Sequence, residues 1–371
     1  MKKLSALLLS LAFLFIGVPH SAGDVTVTKL TSKPHQLFDG TFRNDDLTND
    51  LLPTGRLGKP LESKPKGSRT WVIDGALLDE VAAMADGYEL SNGELTTGQL
   101  VAKSWISRLI LLTAGDKVFA LPYGNPDLSL ATRSAPSELR LYKSYGAERV
   151  EFHLNRKISA GDSSAWSTGK SRLSPVLRKK YTQNRQALTA LSSVVSAPEV
   201  KAQRAKLAVL LSPLLNQKDR EFFSYNATDG VAKTLNRLRV SSGKYQIASE
   251  TGKVPVTVTN DFGVAVSVAV ELTPLNSRVQ VSDVATFAIG ANSRTQLSIP
   301  FNAIAPGATT VLAQITNSDG DAIGPASRLA IKVTFFDSRV TYFTIGAALL
   351  LFVAALTQTI RRIRRGRNEK Q

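Results

Sequence analysis

Cysteine is absent from the 371 residues, histidine occurs three times and methionine twice. Without cysteine there is neither a disulfide framework nor a thiol for lipid attachment, so stability must come from buried apolar area. Beyond the opening segment only His35 and His153 remain, with no paired-histidine spacing, so the sequence points to no metal and no cofactor. It also lacks a G-x-S-x-G elbow, a P-loop and a G-x-G-x-x-G fingerprint. Acidic residues are few, 30 against 46 basic ones, for a formal charge of +16.

Long apolar runs are equally scarce, and there are two. The first, Leu4 to Val18, follows Lys2 and Lys3 and ends at Ser21, Ala22 and Gly23, the pattern of a cleaved signal peptide over residues 1–23. The second, residues 341–360, contains the uncharged YFTIGAALLLFVAALTQTI, close to the ~20 residues a helix needs to cross hydrocarbon. Arg361, Arg362, Arg364, Arg365 and Arg367 follow at once in a basic tail, residues 361–371, and Phe335, Phe336, Tyr342 and Phe343 gather upstream. Positive-inside bias predicts a single-pass type I membrane protein, its tail cytoplasmic and its bulk outside. With the two lysines at the start and a net five charges at the end set aside, +16 falls to +9. That excess favours membrane lipid or an anionic wall polymer, and no nucleic acid is expected as partner of an exported chain.

Between the two runs the pattern changes three times. Residues 24–68 read as a short strand, DVTVTKL, and a polar linker. Residues 69–160 alternate strand and helix: TWVID, an apolar helix stopped by Gly87, a helix near Thr97 to Thr113, the strand KVFAL, a helix near Ser137 to Tyr145, and a strand RVEFHL over 149–154. Residues 161–240 are helical and basic, with Ser196 and Glu199 forming a capping box before the apolar stripe Val200, Leu207, Leu210, Leu211 and Leu214. Residues 241–336 hold seven runs of period two. The fold class expected is α+β and multidomain: a partial α/β module, barrel-like or an open parallel sheet, a helical segment, an immunoglobulin-like β-sandwich and one C-terminal transmembrane helix.

Candidate chemistry sits where an α/β protein places a site, at the carboxyl ends of its strands. In "FALPYGNPDL" these are Tyr123, Asn125 and Asp127, and at the end of RVEFHL they are His153, Asn155 and Arg156, all as ligand-binding residues. Asp74, which follows TWVI, and Asp127 are the pair that could serve a glycan-active hydrolase as two carboxylates. An aspartate after a strand is also a common helix cap, and Asn-Pro-Asp a common turn. The loop can thus be a turn, a ligand grip or a catalytic loop.

The stretches RTWVIDGALLDEVAAMADGY, FALPYGNPDL and LNRLRVSSGKYQIASETGKVPVTVTNDF, with the run into the arginine tail, resemble a family of uncharacterised exported actinobacterial proteins. The resemblance covers most of 69–160 and 235–367. Family members are usually longer and would carry Asp-Pro where this chain has Asp74-Gly75. It implies no reaction. What it implies is cell-envelope biogenesis, with genes usually beside that of the lipid II flippase. The expectation is an accessory or scaffold protein that binds an envelope membrane protein, such as that flippase, or cell-wall glycan, and a binding module in preference to an enzyme.

Overall fold

The computed structural model describes residues 25–63, 67–334 and 338–368. The signal segment 1–23 and Phe335 and Phe336 lie outside the described residues. Two compact units are present. One gathers the chain up to His35, Phe42–Tyr123 and Lys143–Thr168; the other gathers Gln36–Thr41, Gly124–Tyr142 and everything from Gly169 on. Along the first 154 residues the order is β1 (Thr26–Leu30), α1 (Asp46–Leu51), α2 (Lys59–Glu62), β2 (Arg69–Asp74), α3 (Gly75–Asp86), α4 (Gln99–Thr113), β3 (Lys117–Leu121), α5 (Leu128–Ser134) and α6 (Pro136–Leu154).

In the first unit β1, β2 and β3 form a parallel sheet in that order. All six residues of β2 are buried, as befits a central strand covered on both faces. Asp74 turns the chain into α3 by accepting the Ala76 N–H, and Gly87, at φ 111°, ends that helix. Helix α4 buries Ala102, Trp105, Leu109 and Thr113, spaced for one face, while Leu100 is exposed.

Two expectations fail here for physical reasons. Residues 52–63 are not a bare linker: α2 and its turns bury Leu57 and Leu61, and the Trp105 indole donates to the Leu57 carbonyl at 3.0 Å. RVEFHL is not a strand but the last turns of α6. Val150 and Leu154 are buried and lie four apart, whereas Phe152, which completes the apparent alternation, is 66 % exposed. An i, i+4 pair with one exposed aromatic between its members imitates period two.

The second unit continues with α7 (Pro175–Val194), α8 (Pro198–Lys206), a 3-10 turn (Leu207–Leu211) and α9 (Gln217–Leu235). Helix α7 buries Leu177, Tyr181, Leu188 and Leu191 and leaves Arg178 and Lys179 exposed, a core stripe beside a solvated basic face. The expected cap at Ser196 is replaced by Ala197, because Pro198 takes the first helical position, where its missing N–H costs nothing. The helix then tightens at Leu207, and Leu214 falls outside the stripe, 43 % exposed. Buried Glu138 binds Arg204 through both carboxylate oxygens, at 2.8 and 3.0 Å.

Nine strands follow: β4 (Leu238–Val240), β5 (Gly243–Ile247), β6 (Thr251–Asn260), β7 (Val266–Pro274), β8 (Val279–Val281), β9 (Val284–Ile289), β10 (Ser293–Ala303), β11 (Gly307–Thr316) and β12 (Ala322–Val333). They make a four-stranded sheet, β4-β6-β10-β8, and a five-stranded one, β5-β12-β11-β7-β9, antiparallel except for the β5–β12 pair. Alternate residues point inward, among them Val254, Val256 and Val258 from one sheet and Val266, Val268, Val270, Val311, Ile315, Leu329 and Ile331 from the other. The seven expected runs are all strands, and β4 and β5 add to them. Helix α10 (Ser338–Asn368) closes the chain, and its segment Tyr342–Arg362 is long and apolar enough to cross a membrane. That segment measures about 31 Å at 1.5 Å per residue, matching a bilayer core.

Candidate functional site

The first unit assembles one polar cluster at the carboxyl ends of its strands. Asp79 stands five residues beyond Asp74 on α3, Tyr123 lies two residues past β3, and Arg149 and His153 sit one turn apart on α6. Asp79 Oδ1 accepts Arg149 Nε–H at 2.7 Å and lies 2.6 Å from His153 Nε2, while Oδ2 accepts the Tyr123 hydroxyl at 2.8 Å. Arg149 Nη2 also approaches His153 Nε2, at 3.2 Å. One nitrogen cannot both donate to the carboxylate and accept from the guanidinium, so the shorter contact puts the proton on Nε2 and directs it to Asp79.

Electrostatics follow from this packing. Burial, and then the Asp79 carboxylate, push the Tyr123 hydroxyl well above its ordinary pKa, which keeps it a donor. Tyr145, whose ring lies 5.1 Å from that of Tyr123, is raised to about 12, first by burial and then by Asp79. Burial pulls Arg149 down, but Asp79 more than offsets it and the net shift is upward. The outward face is a stack: the Arg149 guanidinium lies 4.4 Å from the centre of the exposed Phe152 ring, which meets His153 edge-on at 5.2 Å. Both oxygens of the Asp79 carboxylate are thus engaged, Oδ1 by Arg149 and His153 and Oδ2 by Tyr123.

The remaining sequence candidates lie elsewhere. Asn155, at φ 49°, occupies the left-handed position that ends α6, and Arg156 donates through Nη2 to the Thr113 carbonyl at the end of α4. Asp74 is buried and caps α3. Asp127 belongs to the other unit, where its carboxylate accepts the N–H groups of Ser129, Leu130 and Ser171 at 2.8–3.2 Å. Leu121 through Asp127 are buried without interruption, and Asn125 holds φ 45°. The segment "FALPYGNPDL" forms the end of β3 and a packed turn into α5.

Sequence reasoning found Tyr123 and His153 and missed Asp79 and Arg149. The available signal was the i, i+4 spacing of Arg149 and His153, hidden by reading their segment as a strand. Among the described residues, no group of three His, Asp or Glu side chains is placed to hold a metal ion.

A family model described as "Family of unknown function (DUF6049)" matches residues 71–368. No curated protein matches the sequence. Among solved structures, the chain is similar to the ASH/PapD-like domain of human CEP192, with 9 % identity over 27 % of this chain and 87 % of that one, at a TM-score of 0.22. It is also similar to WR4, a C. elegans MSP family member, with 14 % identity over 27 % of this chain and 98 % of that one, at a TM-score of 0.19. The periplasmic chaperone SfaE gives 12 % identity over 27 % of this chain and 60 % of that one, at a TM-score of 0.20.

Proposed function

The chain belongs to this DUF6049 family of unknown function, and from that premise we propose that it is a single-pass accessory or scaffold protein of an actinobacterial cell envelope. Its apolar Tyr342–Arg362 helix anchors it, the arginine tail stays in the cytoplasm, and the bulk lies outside. There the Arg149–Phe152 stack above Asp79 engages an envelope membrane protein or wall glycan, and the peptidoglycan-precursor flippase is the first partner to look for.

One observation carries this reading: the strand-end carboxylates serve the fold. Asp79 is bound by Arg149, His153 and Tyr123, and Asp74 and Asp127 accept backbone N–H groups. Beside Asp79 the exposed feature is the Phe152 ring, backed by the half-buried Arg149 guanidinium, which suits binding to a sugar face or an apolar side chain.

The test is in-cell photo-crosslinking from residue 152, which is exposed, whereas Asn125 is buried. One dominant membrane protein or a glycan adduct is the expected product. A functional, membrane-located protein that gives no product above a distant control position overturns the proposal. The competing hydrolase reading is separated by Asp74→Asn with Asp127→Asn, since asparagine keeps one acceptor oxygen for each helix cap, giving up the Ser171 N–H at Asp127, but supplies no acid or base. A folded double variant that supports normal envelope growth is expected; a folded, inactive one restores the hydrolase.

A further inference from the structure

The end of the sandwich from which α10 departs differs from the rest of its surface. Strand register brings Val333 opposite Gly307 and Val279 opposite Ala303, and the Thr334 N–H donates to the Ile247 carbonyl. The loops 248–250, 275–278 and 304–306 therefore share this end with the last residue of β12. Two of them are fastened together: the Ile304 N–H donates to the Arg278 carbonyl at 2.7 Å, and Arg278 Nη1 donates to the Pro306 carbonyl at 3.1 Å. Among the described residues of the sandwich, only Leu275 and Ile304 are large hydrophobic side chains that are exposed, by 61 % and 55 %. Both lie on these tied loops. Every other large apolar side chain of the nine strands is at least partly covered.

Charge is concentrated at the same end. Arg278, Lys253, Lys332 and Lys244 lie at or near it, against the acids Glu250 and Asp283, the latter holding the Leu272 N–H. Beside Leu275 a shallow cavity of about 530 Å³ opens between Lys244 and Lys332, floored by Thr310 and Ala330. Two aliphatic side chains ringed by cations match the boundary between acyl chains and anionic headgroups.

Chain length limits where this end can be. Four Cα steps separate Thr334 from Ser338, which allows about 15 Å at full extension whatever the conformation. Tyr342, the start of the apolar span, is one turn of helix further, about 6 Å.

We propose that the Leu275–Ile304 end of the sandwich is a lipid-docking surface that rests on anionic phospholipid headgroups. The proposal rests on the reading that Tyr342–Arg362 spans the membrane. Docking would hold the sandwich against the bilayer.

The absence of native cysteine makes the test direct. Full-length protein carrying Leu275→Cys, or Ser318→Cys in the turn before β12 at the opposite end, is labelled with a fluorophore. It is reconstituted in nanodiscs of phosphatidylcholine with or without phosphatidylglycerol, doped with headgroup-level spin-labelled lipid. Quenching is expected at residue 275 and not at 318, and phosphatidylglycerol should increase it. Arg278→Ala with Lys332→Ala should remove most of that increase, two surface charges corresponding to about thirtyfold in the docking equilibrium. Equal quenching at both positions, or none at 275, in protein that resists carbonate extraction overturns the docking surface while leaving the span intact. Extraction by carbonate removes the span itself, and the docking with it.

Discussion

His35 shows how much one buried side chain can decide. It is 2 % exposed, its Nε2 lies 3.3 Å from Ser32 Oγ, and its backbone N–H donates to the Glu80 carboxylate. Burial lowers its pKa from 6.5 to about 4, so between those values the unfolded chain binds the proton more tightly than the folded one. Stability due to this residue is therefore complete above pH 6.5 and falls as the pH drops toward 4, by about 3 kcal/mol over the whole window. Urea midpoints measured from pH 7 to pH 4 should show this loss, and His35→Gln should flatten the curve relative to the parent; parallel curves would refute it. Residue identity was partly legible in advance. Asp74 and Asp127 read in the sequence as caps or catalysts, and in the structure each accepts backbone N–H groups as a helix cap. Asp79 gave no local sign, because its partners lie 44, 70 and 74 residues away.

Helix α6 carries the lesson at the scale of the element. Two glycines let it come close to the sheet. A Cβ on Gly146 would lie 2.3 Å from the Leu121 carbonyl oxygen, and one on Gly75 would lie 2.9 Å from the Gly146 carbonyl. In an exposed helix interior, Gly→Ala stabilises by up to ~1 kcal/mol. Here the collision is with backbone, so Gly146→Ala should destabilise by about 2 kcal/mol, read as a lower denaturation midpoint. A neutral or stabilising result would mean that α6 does not sit this close to β3. The same contact bears on Gly75, where a Cβ would also lie 3.0 Å from the Arg149 Cβ, so the approach of α6 leaves little room for a side chain. The stop signal at Gly87 is readable because it acts within a few residues, whereas the cap expected at Ser196 falls on Ala197 because Pro198 takes the first helical position. Period was misread over 149–154, where six residues are too few to separate i, i+4 from i, i+2.

Considered whole, the molecule joins a sandwich to a 21-residue apolar helix. A chain ending after Thr334 keeps the twelve strands of the described residues and loses the apolar helix together with its arginine tail. It should remain in the supernatant after a carbonate wash, whereas the full chain pellets with membranes. Retention of the shortened form in the pellet would show that the span is not the principal anchor. The two proposals separate at this scale as well: partner capture depends on Phe152 in the first unit, and lipid docking on Leu275 and Ile304 in the second.

By itself the sequence determined the apolar span, the arginine-rich run that succeeds it, and the seven alternating strands. Each is a pattern of polarity along consecutive residues, and water and hydrocarbon act on such patterns locally. Only the tertiary structure decided that Asp79, Tyr123, Arg149 and His153 meet, that Asn125 is buried, and that Leu275 and Ile304 share one end. Those results depend on strand order, register and helix approach, which are set by packing between segments far apart in the chain.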